Sequence, residues 1–428
     1  TKVRPLRTRV PTLLFSPLIR IINHLQILTF ASALPMQWPD ELSTMFVIFD
    51  ALGSGGRHMV NPDCSLSGHE AAEVFYLKQV VYALVPPVIM ILSYIFWHSV
   101  ACIKKSKSRK HSSTKVASKS SSKNRRTSKY NPYAATATDK IILTFVLLNF
   151  MLYPSLITSV LSMFNCMSIG ERQFLLADLQ EECFTNRHMY NILALGLPQI
   201  LIYIIGFPLM SILIVGCNQK HVGTPSFKFR YAMLYLGYRD ERWWWEIMTV
   251  LRKVATVLIS VFGILLGPDL QCFLVLAVVF AALFVHLLSK PFDVNTPRHR
   301  LLHNMEMWSL CICWLTFWAG LIFFLGKGKI RDELLRSTSV IVVGLNVLAL
   351  LFMVLIYVKE SKVDQKNRVQ RMSHLKDVAK LTTSFHSKSS GNLRLWSTAD
   401  VKSEVKTTEA PELNFSRQSK NEQVSDWL

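Results

Sequence analysis

The sequence predicts an all-α polytopic membrane bundle of about eight transmembrane helices, with a disordered basic linker and a disordered C-terminal tail. Three observations predict it. Half of the 428 residues are apolar and mean hydropathy is +0.28. Charged residues are only 18% of the chain and fall in blocks between apolar runs, the pattern of a multi-pass protein. One run, Arg242 to Phe262, opens on Trp243, Trp244 and Trp245, carries Arg252 and Lys253 inside a helix-length apolar stretch and closes at Gly267-Pro268-Asp269. Its length of about 20 residues suffices to cross a bilayer. Indole rings favour the headgroup level, so the three tryptophans are expected interfacial anchors.

The elements follow in order. The chain begins Thr1-Lys-Val-Arg, without Met, which suggests the membrane portion of a longer protein. Residues 1–10 are a basic cytosolic flank. The transmembrane bundle covers 11–358. Its first span, 11–34, is the most polar. Arg20, Asn23 and His24 recur at i, i+3 and i+4, so they share a face that must turn toward protein or water rather than lipid.

Residues 35–73 form the longest outer loop. Leu42, Met45, Phe46 and Phe49 repeat at helical spacing, predicting an amphipathic helix on the outer membrane surface. Gly53-Ser-Gly-Gly56 is a turn rather than a phosphate loop, and Ser67 with Glu70 is a capping-box pair. The second span, 79–103, carries Pro86-Pro87 as a kink. Residues 104–139 hold eleven Lys or Arg and no acid between Lys104 and Lys129, which predicts a disordered cytosolic linker.

The third span is 140–164, followed by an outer loop to Met189. The fourth is 190–217, broken by Pro198 and Gly206-Phe-Pro208. A basic inner loop leads to the fifth, 243–266. A three-residue turn makes it an antiparallel hairpin with the sixth, 270–290. The seventh is 303–325 and the eighth 337–358. Residues 359–383 read as a basic amphipathic juxtamembrane helix, and 384–428 as a disordered tail.

Inner segments before the tail hold about 23 Lys and Arg against about seven in outer loops. That bias places both termini in the cytosol, in a protein expected at the plasma membrane. The net charge of +20 has the same origin. The expected partners are membrane lipids, including anionic inner-leaflet lipid, rather than nucleic acid, and homo-oligomerisation is left open. Cys64, Cys166 and Cys183 fall in outer loops, where oxidation is favoured. Three pairings are open. Cys166–Cys183 is favoured because it staples one loop.

The polar residues with most to explain are Arg252 and Lys253 inside span five, with Glu246 at its start, His286 near the end of span six and Glu306 near the start of span seven. With Arg20 and His24 they make a buried charge cluster whose members should pair with one another. A register-fixing ion-pair network and an ion path or gate explain it equally well. No nucleophile elbow, paired-His spacing or Walker loop is present, so neither enzymatic activity nor a metal or cofactor is expected.

Several segments together carry a family likeness. They are Asn23-His-Leu-Gln26, Trp38-Pro39, Asp63-Cys64, Met163-Phe-Asn-Cys166, Glu182-Cys183 with Tyr190 following, Gly206-Phe-Pro208, Tyr235-Leu-Gly-Tyr238, Arg242-Trp-Trp-Trp-Glu246, Leu251-Arg-Lys253 and Lys290-Pro291. In order and spacing they resemble the multi-pass C-terminal region of large algal and protist surface proteins. Those are described as transient-receptor-potential-like or G-protein-coupled-receptor-related, and their ectodomains carry Cys-rich repeats like those of ephrin receptors. The resemblance implies a sensory or ion-channel-like membrane role, with a non-conducting receptor or scaffold as the alternative. It brings no catalytic or pore residues. One departure matters. A tetrameric channel of that type needs a re-entrant pore segment between its last two spans. The turns here, of three and about eleven residues, have no room for one.

Overall fold

A computed structural model describes residues 15–53, 71–113, 136–235 and 237–389. The chain forms two units, 1–364 and 365–428. The helices are α1 (Phe15–Ser32), α2 (Asp40–Gly53), α3 (Ala71–Ser113), α4 (Ala137–Ser162), α5 (Asn186–Cys217), α6 (Pro225–Tyr235), α7 (Glu246–Phe262), α8 (Pro268–Ser289), α9 (Pro297–Gly326) and α10 (Asp332–Ser389). Seven of them, α3, α4, α5, α7, α8, α9 and α10, are long and apolar enough to cross a membrane. The protein is a multi-pass membrane protein. Large apolar side chains such as Leu92, Phe96, Leu201 and Phe284 remain exposed on the helices, where lipid rather than water is the compatible solvent.

The eighth expected span is a different kind of element. Its polar face keeps α1 below the hydropathy of the other seven. From Ser16 to Ala31 every residue except Leu18 is buried. Helices α2 and α9 pack along it, and α6 and α7 also touch it. The most polar helix is therefore the axle of the bundle, where its side chains meet protein instead of hydrocarbon.

Helix α2 corrects an expectation. Leu42, Met45, Phe46 and Phe49 are buried on one face as the spacing requires. The helix does not lie on the outer surface, however. It starts beside α10, where Arg336 Nε lies 3.6 Å from Glu41. It ends with Gly53 against Leu25 and Gln26, halfway along α1. There Gln26 Nε2 donates to Gly53 O at 3.2 Å and also to Phe150 O and Met151 O, the midpoint of α4. So α2 descends to mid-bundle, and its outward face of Val47, Ile48 and Leu52 suits lipid. At its upper end Trp38 donates to Ala31 O and Leu34 O and packs on Phe46 and Phe323. Only a glycine fits beneath that indole: a Cβ on Gly320 would come within 2.3 Å of it.

Other corrections concern boundaries. Helix α3 continues through Pro86-Pro87 to Ser113, so the first ten residues of the expected disordered linker are helical; 114–135 lie outside the described residues. Helix α4 starts three residues early, at a capping box of Thr136 and Asp139, and Asp139 also pairs with Arg230 of α6. That helix, α6, occupies what reads as a plain inner loop. The fourth span is not broken at its prolines. It runs unbroken as α5 by passing through π-helical turns at Ile192–Gly196 and Ile200–Gly206. The stretch 359–383 lies within α10, which reaches Ser389; residues 390–428 of the expected tail lie outside the described residues.

A small sheet also departs from an all-helical reading. Strands β1 (Cys166–Ile169), β2 (Arg172–Leu175) and β3 (Asp178–Glu182) form an antiparallel meander in order β1-β2-β3 between α4 and α5. The two-residue turn Gly170-Glu171 needs φ of +64° at its first position, which glycine takes without strain. The disulfide Cys166–Cys183 closes the meander, as favoured from sequence. Cys64 lies outside the described residues.

The prolines explain how the helices are tied. A proline at position i leaves the carbonyl at i−4 without its helical donor. Three such carbonyls are filled by side chains from neighbouring helices. Ala83 O, four before Pro87, accepts from Tyr203 OH at 2.6 Å. Phe150 O, four before Pro154, accepts from Gln26. Ile204 O, four before Pro208, accepts from Tyr153 OH at 3.1 Å. The kinks thus become inter-helix bonds joining α1, α4, α5 and α3. Replacing Tyr153 with Phe is expected to destabilise the purified protein by about 1–2 kcal/mol, since the orphaned carbonyl sits where water is scarce. Thermal unfolding in detergent checks this; an unchanged midpoint would mean that another donor reclaims Ile204 O.

Candidate functional site

The functional candidate is built where α1, α7 and α9 meet. On α1, the polar face places Arg20 and His24 against α9, while Asn23 on the same face is buried with both side-chain polar atoms unpartnered. On α9, Glu306, Ser309 and Cys313 line up at i, i+3 and i+7 to receive them. Arg20 Nη1 is 3.1 Å from Glu306 Oε2. His24 Nδ1 lies 3.0 Å from Ser309 Oγ and 3.5 Å from Cys313 Sγ. From α7, Arg252 Nη1 donates to the other Glu306 oxygen, also at 3.1 Å. One carboxylate therefore bridges two guanidiniums from two other helices.

Tyr238 extends the cluster. It precedes α7 and is held by a bridge to Phe292. Arg20 Nη2 donates to its hydroxyl, which donates onward to Glu246 Oε2 at 2.7 Å. Burial, above all, pushes the phenol pKa well above its ordinary value, so the proton needed for that second bond is retained. The Arg20 guanidinium also lies 5.2 Å from the ring centres of both Tyr238 and Phe292. Sequence reasoning missed Tyr238 and Phe292, because nothing in their local pattern marks a tertiary partner.

The structure brings together Arg20, Arg252, Glu246 and Glu306, but it corrects the expectation that all members pair. Lys253 Nζ has no hydrogen-bond partner. It is buried and rests over the Phe150 ring, 3.7 Å from the centroid. Glu246, one face along the same helix, spends its bond on Tyr238 instead. His286 is buried but stacks on His303 at 4.6 Å between ring centres rather than meeting an acid. Arg20 Nε, Arg252 Nε and Arg252 Nη2 also lack partners. The cluster thus has three cations for two carboxylates and more donors than acceptors. An isolated buried charge costs several kcal/mol, and a cation–π contact returns only about 0.5–2 kcal/mol. The surplus is concentrated at Lys253.

The three tryptophans are placed unevenly. Trp245 is buried, with its ring 6.3 Å from His286, and so does not stand at an interface. Trp243 and Trp244 are half-buried and line a cavity of about 550 Å³ between α4, α5, α6 and α7. Lys253, Glu246, Asn149 and Phe150 form part of the same wall.

At the other end of the bundle, His188 stands beside the disulfide sulfurs, all within 4.8 Å. Its Nδ1 accepts from the Phe184 amide, so Nε2 carries the proton and donates to Met163 O. With the sulfurs bonded to each other and both ring nitrogens used, this group is a structural tie between α4 and α5.

Comparison with known proteins gives a partial likeness. Over 222 residues the chain is 27% identical to cysteine repeat modular protein A of Toxoplasma gondii. The match covers 49% of this chain and 7% of that protein. No family model matches. No solved structure matches. The similarity is to a small portion of a much longer protein.

Proposed function

We propose that the chain is the membrane portion of a larger surface protein with a sensory, channel-like role, in which the Arg20–Glu306–Arg252 bridge is the latch that sets the resting arrangement of α1, α7 and α9. The carrying observation is the position of that bridge. Charged groups inside a membrane bundle are costly, rare and found at ion paths, proton relays and sensors. Its surplus of donors over acceptors makes the arrangement easy to exchange for another. The small share of the Toxoplasma protein that matches supports a membrane portion attached to something longer. The lysine and arginine bias supports a plasma-membrane orientation with both ends of 1–428 cytosolic. Helix α2, which descends only to mid-bundle, stands in for the re-entrant piece that the last spans have no room for.

A specific observation favours a second reading, a non-conducting receptor or scaffold that binds lipid or cytosolic partners through its basic linker and tail. The connections 263–267 and 327–331 are too short for a filter, and the latch is closed by cations. Recording from the full chain in planar bilayers separates the two. We expect currents under stretch or voltage whose threshold shifts in Glu306→Gln. Folded protein that passes no current under either stimulus would leave the receptor reading.

A further inference from the structure

The cavity beside Lys253 carries a separate inference. It is bounded almost wholly by apolar side chains of α4, α5, α6 and α7, and its rim includes Ile202 and Met210, which are exposed on the lipid-facing side of α5. Its volume of about 550 Å³ lies within the range of small-molecule sites, about 300–1,000 Å³. Three of its polar side chains carry a buried atom without a hydrogen-bond partner. One is the Lys253 ammonium, 1% exposed for the residue and without a hydrogen-bond partner. The others are Glu246, whose Oε1 is unpartnered, and Asn149, whose Oδ1 is unpartnered.

We propose that this cavity binds a single-tailed amphiphile with an anionic head, of the fatty-acid type, its head against the Lys253 ammonium and its tail along the apolar wall toward Ile202 and Met210.

Charge decides the head group. The neighbouring cluster holds Arg20, Arg252 and Lys253 against Glu246 and Glu306, and every other member of it already has a partner. The one cation left over is the one that faces the cavity. An anion there completes the balance, whereas a cationic or neutral head leaves it open. Glu246 works against an anion, but one of its oxygens is already engaged by Tyr238, and Asn149 Nδ2 already donates to Phe145 O, so the head rests on the Lys253 ammonium alone. Shape decides the tail. Ile202 and Met210 are exposed apolar members of the wall, so the ligand partitions in past them from the membrane and keeps its chain dry throughout. The inference does not depend on whether the protein conducts.

The test is equilibrium binding of radiolabelled palmitate and hexadecanol, equal in tail length, to the purified full chain in lipid nanodiscs. Lysophosphatidate with the same tail is a third probe. Palmitate should bind at least tenfold tighter than hexadecanol. Lys253→Met should remove that preference and Lys253→Arg should keep it. Val250→Phe, which narrows the cavity from a position away from the cluster, should weaken both ligands and serves if Lys253→Met does not fold. Lysophosphatidate binding alongside palmitate would extend the head class to phosphate. Equal affinity for acid and alcohol, or palmitate binding unchanged in both Lys253→Met and Val250→Phe, overturns the proposal.

Discussion

Glu306→Ala should destabilise the bundle by about 3–5 kcal/mol, the largest single effect expected in the protein. The carboxylate sits between Arg20 and Arg252, each 3.1 Å away and each from a different helix. Removing it leaves two guanidiniums facing each other in a site from which water is excluded, so the loss exceeds that of two ordinary hydrogen bonds. Accumulation in membranes and the unfolding midpoint of purified protein are the readouts. The companion experiment replaces the whole bridge, Glu306→Leu with Arg20→Met and Arg252→Met. Substituting a complete buried ion group by apolar residues of similar size is often neutral or stabilising. The triple variant should therefore recover most of the lost stability, a strongly non-additive result. It also separates scaffold from latch. If the bridge only fixes helix register, the triple variant should signal normally. If it sets a resting state, the triple variant should fold and yet lose its threshold. A Glu306→Ala protein as stable as the parent would contradict the buried geometry itself.

How much of this was legible follows from where the information resides. The seven apolar helices are written locally, in runs long enough that no other solvent fits them. The inward face of α1 was legible as well, because Arg20, Asn23 and His24 recur at helical spacing and cannot face lipid. The disulfide was legible from loop position. What the sequence did not disclose is tertiary choice. Glu246 and Lys253 share a face of α7, which suggests a pair, yet Tyr238 takes the carboxylate and leaves the ammonium over Phe150. Trp245 looks like its two neighbours in sequence but turns to His286 and the core. The meander was hidden because strands of four or five residues such as Arg172–Leu175 are too short to show an alternation of their own. Helix α6 was hidden by its basic residues, although Thr224 before Pro225 is a recognisable helix start, and Thr224 Oγ1 does accept from the Phe227 amide. The descent of α2 could not be read from its own pattern, since an amphipathic helix on a surface and one leaning into a bundle look the same. The signal was elsewhere, in Gln26 and Pro154: a buried amide donor and a carbonyl that lacks one.

Losing the Cys166–Cys183 bridge is expected to cost about 3 kcal/mol, from the unfolded-chain entropy of a loop with 17 residues of separation. The structure says why the effect should extend beyond the loop. The meander links the end of α4 to the start of α5, His188 ties back to Met163 O, and Asn165 Nδ2 donates to Val261 O near the end of α7. Without the covalent closure those bonds must hold three helix ends on their own. Cys166→Ser with Cys183→Ser should thus lower the unfolding midpoint and loosen α7 as well as the hairpin, which hydrogen exchange at 163–186 and 257–263 would detect. Thiol labelling gives the sharper check. In unreduced protein neither Cys166 nor Cys183 should react with a maleimide under denaturing conditions, and both should after reduction. An impermeant reductant and label applied to intact cells then reads topology: reaction at these two positions places the meander outside, whereas reaction only after lysis would invert the orientation inferred from the lysines and arginines.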